Sequence, residues 1–488
     1  MNLSVEIMIL IPIIASAISI LVPKGRISAT VTMIMSTMTL IAAISLCWGI
    51  FYGDVVEYSI WYADSLSAIF VMIIAVISFM TSIYSYGYIA RDVSEGRIGA
   101  KDERFYYMLF NIFVAVMFLT CLVSSAGLLW IAIEATTLVS AFLVGLYRTK
   151  SSTEAAWKYL MLCSAGITLA LVGITLVYAA SIGVLSGEGD ALDWPILYNV
   201  AANIDPAMMK IAFVFIMIGF GTKIGLVPLH TWLPDAHGQA PTPVSAMLSA
   251  VLLNCALYGL IRFKMIADIT VPGFTQYFFI GFGLLSLIVA AFFIINAKDI
   301  KRLFAYSSIE HMGIILIGLG IGSPIAVFGA LFLVIAHSLS KSFTFFSVGN
   351  IISEYGTKEI SEIRGLRKKM PFSSFMLTAG MFAMVGLPPF TIFIGEITIL
   401  QGAINSEMYL LAIVVIIFIL IVFAGSARNI FPMMSGTTDK DVKEVPGLSR
   451  KVPLVILLCI SLLLGLFMPD QMHEMLQSLS QMLSGGLI

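Results

Sequence analysis

Apolar runs long enough to cross a bilayer follow one another along the whole chain. Nothing else in the sequence constrains the fold as strongly. They predict about fourteen helices, with boundaries near 4–22, 27–52, 65–90, 105–123, 126–147, 156–182, 208–240, 243–263, 274–296, 303–320, 326–350, 372–403, 408–431 and 452–468. The runs at 208–240 and 372–403 are interrupted, and a short amphipathic tail leads to Ile488. Charged residues make up 11% of the 488 positions and hydrophobic ones 59%, whereas a soluble domain carries about 25% charge. The expected fold class is an all-α polytopic membrane protein, because only spans that pair every backbone group internally survive in lipid.

The few charges are placed with a bias. Of the 27 Lys and Arg residues, all but Lys210, Arg262, Lys264, Lys223 and Lys341 fall on the side of the first loop. Lys210, Arg262 and Lys264 belong to the opposite side, and Lys223 and Lys341 lie deep within helices. The positive-inside rule then puts the basic loops in the cytoplasm and both termini outside. The first apolar run has no basic segment before it, so it reads as a retained helix rather than a cleaved signal. A net charge of −1 with no basic stripe excludes nucleic acid as a partner. The five cysteines are scattered, with no Cys-x-x-Cys, which argues against an iron–sulfur or zinc centre held by this chain. The five histidines lack the paired helical spacing that membrane haems need.

Two helices carry proline and glycine at mid-span. One break is Gly225-Leu226-Val227-Pro228-Leu229, the other Gly386-Leu387-Pro388-Pro389-Phe390. Proline removes a helical hydrogen bond and frees carbonyls that lipid cannot satisfy, so a broken helix must face protein or water. Breaks at matching places in two halves point to an ion pathway. Ionisable residues lie close to both. Glu134 is mid-helix, Lys223 precedes the first break and Glu396 follows the second. His337 and Lys341 are four apart on one helical face, and Glu310 and His311 are adjacent, which assigns them to different faces. Each charge at mid-bilayer costs at least about 2.5–3.5 kcal/mol, so such a row implies function. A lysine whose glutamate partner moves away can release and rebind a proton. Lys158, near a helix start, is read either as relay support or as a side chain that snorkels to the surface. His230, Asp235 and His237 crowd the first break, but no further ligand is evident and no metal is expected there.

Three stretches resemble a known family. They are Lys223 to Leu248 (KIGLVPLHTWLPDAHGQAPTPVSAML), Asp299 to Gly313 (DIKRLFAYSSIEHMG) and Gly386 through Glu396. Together they resemble the large antiporter-like subunits of respiratory complex I, of membrane-bound energy-converting NiFe hydrogenases and of multisubunit sodium/proton antiporters. The resemblance implies two inverted five-helix repeats, helices 4–8 and 9–13, each with one broken helix. The implied organisation is an N-terminal three-helix segment (1–104), a first repeat (105–265), a second repeat (266–431), and helix 14 with its tail (432–488). It also implies that Glu134, Lys223, His311, Lys341 and Glu396 occupy the family's relay positions. Combined with the reading of the buried residues, the expected proton relay is Glu134, Lys223, His311, His337, Lys341 and Glu396, with Lys158, His230, Asn254 and Glu310 in support and Pro228, Pro388 and Pro389 breaking the helices. Many complex I members carry a lysine where this chain has Asn254. Asn254 with Glu310-His311 resembles the hydrogenase-4 component F branch.

The expected function is an ion-translocating subunit, for protons or sodium, in a prokaryotic cell membrane. It would have no cofactor or redox centre of its own, and so would be a translocase component rather than a complete enzyme. Its expected partners are the lipid bilayer, further antiporter-like and other membrane subunits, and peripheral NiFe hydrogenase and iron–sulfur subunits. The alternatives are an NADH- or other donor-driven dehydrogenase as partner, a redox-free cation/proton antiporter, and a scaffold that merely anchors a soluble enzyme.

Overall fold

The computed structural model of the chain describes residues 2–185, 191–438 and 440–485. Among these, thirteen helices are long and apolar enough to cross a membrane. In chain order the helices are α1 (Asn2–Leu21), α2 (Gly25–Phe51), α3 (Ser65–Ser94), α4 (Ala100–Leu122), α5 (Ala126–Val144), α6 (Lys150–Ile182) and α7a (Pro206–Ile224). Next come α7b (Trp232–Gln239) and α8, continuous over Thr242–Thr270, then α9 (Phe274–Ile295), α10 (Ile300–Ile321) and α11 (Pro324–Tyr355). Two shorter apolar helices follow, α12a (Pro371–Met384) and α12b (Thr391–Asn405), and together they form one interrupted span. The set closes with α13 (Tyr409–Met434), α14 (Val452–Leu466) and α15 (Asp470–Leu483). The protein is a multi-pass membrane protein, and the expected set of spans is present.

Several helices run past their predicted ends. α6 starts at Lys150 and α8 continues to Thr270, because the first turn of α6 and the last turns of α8 are polar enough to fall below a hydropathy reading yet keep helical hydrogen bonds. The sequence reading missed a small antiparallel hairpin of β1 (Val56–Tyr58) and β2 (Trp61–Ala63), and a short helix at Trp194–Val200. It also missed a π-helical segment inside α8, Leu248–Leu252. Nothing in the composition of that segment sets it apart from ordinary helix.

Small residues set the helix spacing, as expected where lipid supplies no hydrophobic drive for association. A Cβ on Gly313 of α10 would sit 2.7 Å from the carbonyl oxygen of Gly283 on α9. The amphipathic tail behaves as its pattern requires, with Leu476, Leu479 and Leu483 of α15 buried. The basic loops meet one another on one face. Arg148 pairs with Asp102 at 2.7 Å, Arg302 with Asp235 at 2.5 Å, Lys358 with Asp299 at 3.6 Å, and Arg91 with Glu354. A separate pair joins Arg262 near the far end of α8 to Asp64, the residue that caps α3.

Candidate functional site at two helix breaks

The first break ends α7a at Ile224. Gly225 adopts φ +84°, and its N–H donates to the Gly221 carbonyl at 3.0 Å. A side chain there would be strained, so glycine is the residue that lets the helix stop here. Trp232 Nε1–H donates to the buried Thr222 carbonyl at 2.8 Å, and Ser286 Oγ accepts from the Val227 N–H at 3.0 Å. The Val227–Pro228 peptide is cis, as is Pro388–Pro389 at the second break.

Lys223 lies in the last turn of α7a, where the carbonyl pole of the helix favours a cation. It is fully buried. Its Nζ donates to Thr137 Oγ1 and to Tyr159 OH, both at 2.7 Å, and stands 4.8 Å from the centre of the Tyr159 ring. Tyr159 OH is also 2.7 Å from Ser140 Oγ. Glu134 and Lys223 do not touch in this structure. Glu134 instead accepts from Ser164 Oγ at 2.6 Å, and its other oxygen has no partner. Thr137 lies one turn along α5 from Glu134 and takes the place at the lysine that a carboxylate could fill.

The second break follows Met384. Gly386 has φ +63° and lies so close to Glu396 that a Cβ would overlap the carboxylate. Glu396 is buried, with one oxygen unpartnered. The carbonyl of Met384, the last residue of α12a, faces His311, whose Nε2 is 2.9 Å away. His311 Nδ1 is 3.1 Å from His337 Nδ1, and His337 Nε2 is 3.2 Å from the Ser249 carbonyl in the π segment of α8. Lys341 Nζ donates to Ser307 Oγ and to the Phe304 carbonyl. Lys341 and His337 therefore share the face of α11 that meets Ser307 and His311 on α10, in keeping with their spacing.

Glu310 corrects an expectation. Its position next to His311 suggested a different face, yet Glu310 Oε2 lies 3.4 Å from His311 Nε2 and accepts no hydrogen bond. Long side chains on adjacent residues converge here on the gap that the break opens. Glu310, His311 and Glu396 each offer a ligand atom, all within 4.8 Å of one another. That spacing suits one small cation or shared protons.

The other predicted residues are placed more peripherally. Asn254 donates to Ser338 Oγ at 2.7 Å and to the Ala250 carbonyl at 2.8 Å, which ties α8 to the residue beside His337. Lys158 is on the surface, paired with Glu154 at 3.0 Å and Asp235 at 3.3 Å, and touches neither Glu134 nor Lys223. Asp235 is thereby committed to Lys158 and Arg302. His230 sits in the break against Phe293 and Tyr306. His237 is fully buried and stacked on Phe345, with both ring nitrogens unpartnered. Sequence reasoning missed Thr137, Tyr159, Ser164, Ser249 and Ser307. The one available signal was the i, i+3 spacing of Glu134 and Thr137.

The side-chain hydrogen bonds thus form two clusters. One surrounds Lys223, and the other contains His311, His337 and Lys341. α8 packs on α7a with one side and offers its π segment to His337 with the other.

The likenesses of the chain agree with this layout. It is 39% identical over 404 residues to a hydrogenase-4 component F homolog of Methylacidiphilum infernorum, which covers 82% of this chain and 84% of that protein. It superposes on a subunit of the membrane-bound sulfane sulfur reductase, an archaeal respiratory membrane complex, with a TM-score of 0.87 at 22% identity, covering 98% of this chain and 97% of that one. A chain of the Mrp complex from a Dietzia species gives a TM-score of 0.84 at 18% identity, covering 100% and 98%. At these identities the two structures share the fold. Residues 124–424 match the family model described as NADH:quinone oxidoreductase/Mrp antiporter, TM, and they contain both breaks and every ionisable residue described at them. The chain belongs to that family of antiporter-like membrane subunits.

Proposed function

We propose that this chain moves protons across a prokaryotic cell membrane as a subunit of a redox-driven complex of the membrane-bound NiFe hydrogenase or formate hydrogenlyase type. The observation that carries the reading is the pair of helix breaks, each ending a helix on a buried cationic or imidazole group, with a buried acid beyond the second. The relay runs from Glu134 and Lys223, across α8, to His337, His311 and Lys341, and ends at Glu310 and Glu396. The hydrogenase branch rests on the 39% identity to the hydrogenase-4 component F homolog. The partners in this reading are further antiporter-like membrane subunits and peripheral hydrogenase and iron–sulfur subunits.

The two halves, α4–α8 and α9–α13, act as inverted repeats. In support, the interrupted helix of each half packs along the long helix before it, α7a and α7b on α6, and α12a and α12b on α11. The basic loops face the cytoplasm and both termini lie outside, by the positive-inside rule. The coupling element is Glu134. It stands on a face of α5 with exposed Ile131, Leu138 and Phe142, where a neighbouring subunit can press on it. Swinging Glu134 to Lys223 would replace Thr137 and hold the ammonium charged. Withdrawing it leaves the lysine on neutral hydroxyls, which hold the charge less well.

The fold likeness to the Mrp complex supports a second reading, cation/proton exchange without redox chemistry. One experiment separates them. The purified complex is sealed into liposomes and lumen pH is followed during turnover, with native chain and with Lys223→Ala. Donor-dependent acidification that the variant abolishes is the expected result. Equal proton movement in both would overturn the relay, and exchange without electron donor would favour the antiporter reading.

A further inference from the structure

The histidine pair between α10 and α11 carries a count of protons that neutral side chains cannot supply. His311 Nε2 is 2.9 Å from the Met384 carbonyl. His337 Nε2 is 3.2 Å from the Ser249 carbonyl. Carbonyl oxygens only accept, so each Nε2 must bear a hydrogen. The two Nδ1 atoms then face each other at 3.1 Å. That contact is a hydrogen bond only if one of them is also protonated, since two bare lone pairs at this distance repel. Three hydrogens are needed, and two neutral imidazoles carry two between them.

A second observation points the same way. Glu310 and His311 are both buried, and Glu310 Oε2 lies 3.4 Å from His311 Nε2 without a hydrogen-bond partner. Among the described residues no Lys or Arg pairs with that carboxylate. Lys341 spends its Nζ on Ser307 and the Phe304 carbonyl. A buried carboxyl left without such a partner stays ionised only with another countercharge close by. From these we infer that the His311–His337 pair is a proton-storage site, an imidazole–imidazolium couple that holds one proton more than two neutral rings and is balanced by Glu310.

The inference rests on the relay reading and adds a device to it. The N–H bond on His311 Nδ1 breaks as one forms on His337 Nδ1, and the positive charge passes from α10 to α11 with no ring turning. His337 Nε2 cannot pass its proton onward, because a carbonyl does not take it, whereas His311 Nε2 has the Glu310 carboxylate 3.4 Å away. The stored proton therefore leaves toward Glu310, or when a ring rotates away from its carbonyl. One carbonyl belongs to the last residue of α12a at the second break, and the other to the π segment of α8. Backbone movement at either irregularity opens the store. The charged and titratable groups facing the pair are Glu310 on α10, Lys341 on α11, Glu396 on α12b and His237 on α7b.

The test is nitrogen NMR on the full complex in lipid bilayers, with histidine 15N-labelled in this chain. Its five histidines keep the spectrum countable. At pH 8 the pair should show three ring N–H protons and a through-hydrogen-bond coupling between two Nδ1 nuclei. His311→Gln and His337→Gln assign the signals, and each should remove the coupling. Glu310→Gln should reduce the pair to two protons, while Glu310→Asp keeps three. Two neutral rings without coupling in native protein at pH 8 would overturn the inference. So would a three-proton pair that ignores Glu310→Gln in a variant whose unfolding midpoint is native. The readout is at equilibrium, so a two-proton pair in a complex whose pumping still depends on Lys223 sinks the store and leaves the relay standing.

Discussion

The Asp64–Arg262 pair fixes the N-terminal segment to the helix that carries the π segment, and its strength can be worked from its geometry. Arg262 donates to both oxygens of Asp64, at 2.7 and 2.6 Å, and also to Tyr258 OH and Ser67 Oγ, both at 3.1 Å. The side chains are 4% and 15% exposed, so neither charge is well screened by water. Removing one partner of a buried pair leaves a buried charge uncompensated and costs about 3–5 kcal/mol. Asp64 also caps α3 through the Ser67 N–H at 3.0 Å, and losing the cap adds about 1 kcal/mol. Asp64→Ala should therefore cost roughly 4–6 kcal/mol. Asp64→Ala with Arg262→Met should recover most of that, leaving about the cap, because no orphaned charge remains. The assay is equilibrium unfolding in mixed micelles, followed by tryptophan fluorescence. The pair also sets a pH dependence. Burial pulls the Asp64 carboxyl upward, but the Arg262 charge and hydrogen bonds outweigh it and hold the group below the ordinary carboxylate value. The stabilisation is then complete above the unfolded value of about 3.9 and is lost as pH falls through the lower folded value. Asp64→Ala should lack that acid limb. Single variants each costing under about 1 kcal/mol, with costs that simply add, would refute the reasoning.

Four further outcomes are expected. Tyr159→Phe removes a charge-assisted hydrogen bond to Lys223 worth about 1.5–3 kcal/mol, so proton translocation by the reconstituted complex should slow by roughly ten- to a hundredfold while the protein stays folded. Lys158→Ala, on an exposed and screened pair, should leave the unfolding midpoint and pumping unchanged; a pumping loss would return Lys158 to the relay. Gly313→Ala drives a methyl into the Gly283 carbonyl and should cost about 1–3 kcal/mol in the micelle titration. Gly281→Ala, where a Cβ meets nothing within 4 Å, should be neutral or slightly stabilising in the same titration.

The spans were legible because lipid leaves one solution for the backbone, and length and apolarity follow from it. The breaks were legible because Gly225, Pro228, Gly386, Pro388 and Pro389 are residues that a helix interior rejects. The partners of the buried charges were not. Thr137, Ser140 and Ser307 each bond a carbonyl in the preceding turn of their own helix, as hydroxyl residues in helices commonly do. The same oxygens also meet Lys223, Tyr159 and Lys341. Sequence shows the first habit and conceals the second. The convergence of Glu310 with His311 was hidden for another reason. A helical wheel places neighbours about 100° apart, but it says nothing of a gap in the facing helix that both side chains can enter.

That gap shows why breaks and buried cations belong together. An uninterrupted helix satisfies its carbonyls internally and offers an ammonium only a shared one, as α10 does to Lys341 at Phe304. Stopping α7a at Ile224 and α12a at Met384 creates two carbonyl poles inside the protein. Lys223 lies in the last turn before the first, and His311 meets the last carbonyl of the second. Each pole favours positive charge by a fraction of a kcal/mol to about 2 kcal/mol. That is too little to fix a proton permanently and enough to make its residence depend on the geometry of the break. If this is right, disturbing one break should uncouple the protein while the charges at the other break stay in place. Gly386→Ala, which forces Glu396 aside, should leave Lys223 and its hydroxyl partners intact yet lower proton movement per electron transferred. An unchanged ratio would mean that the second break is only a kink.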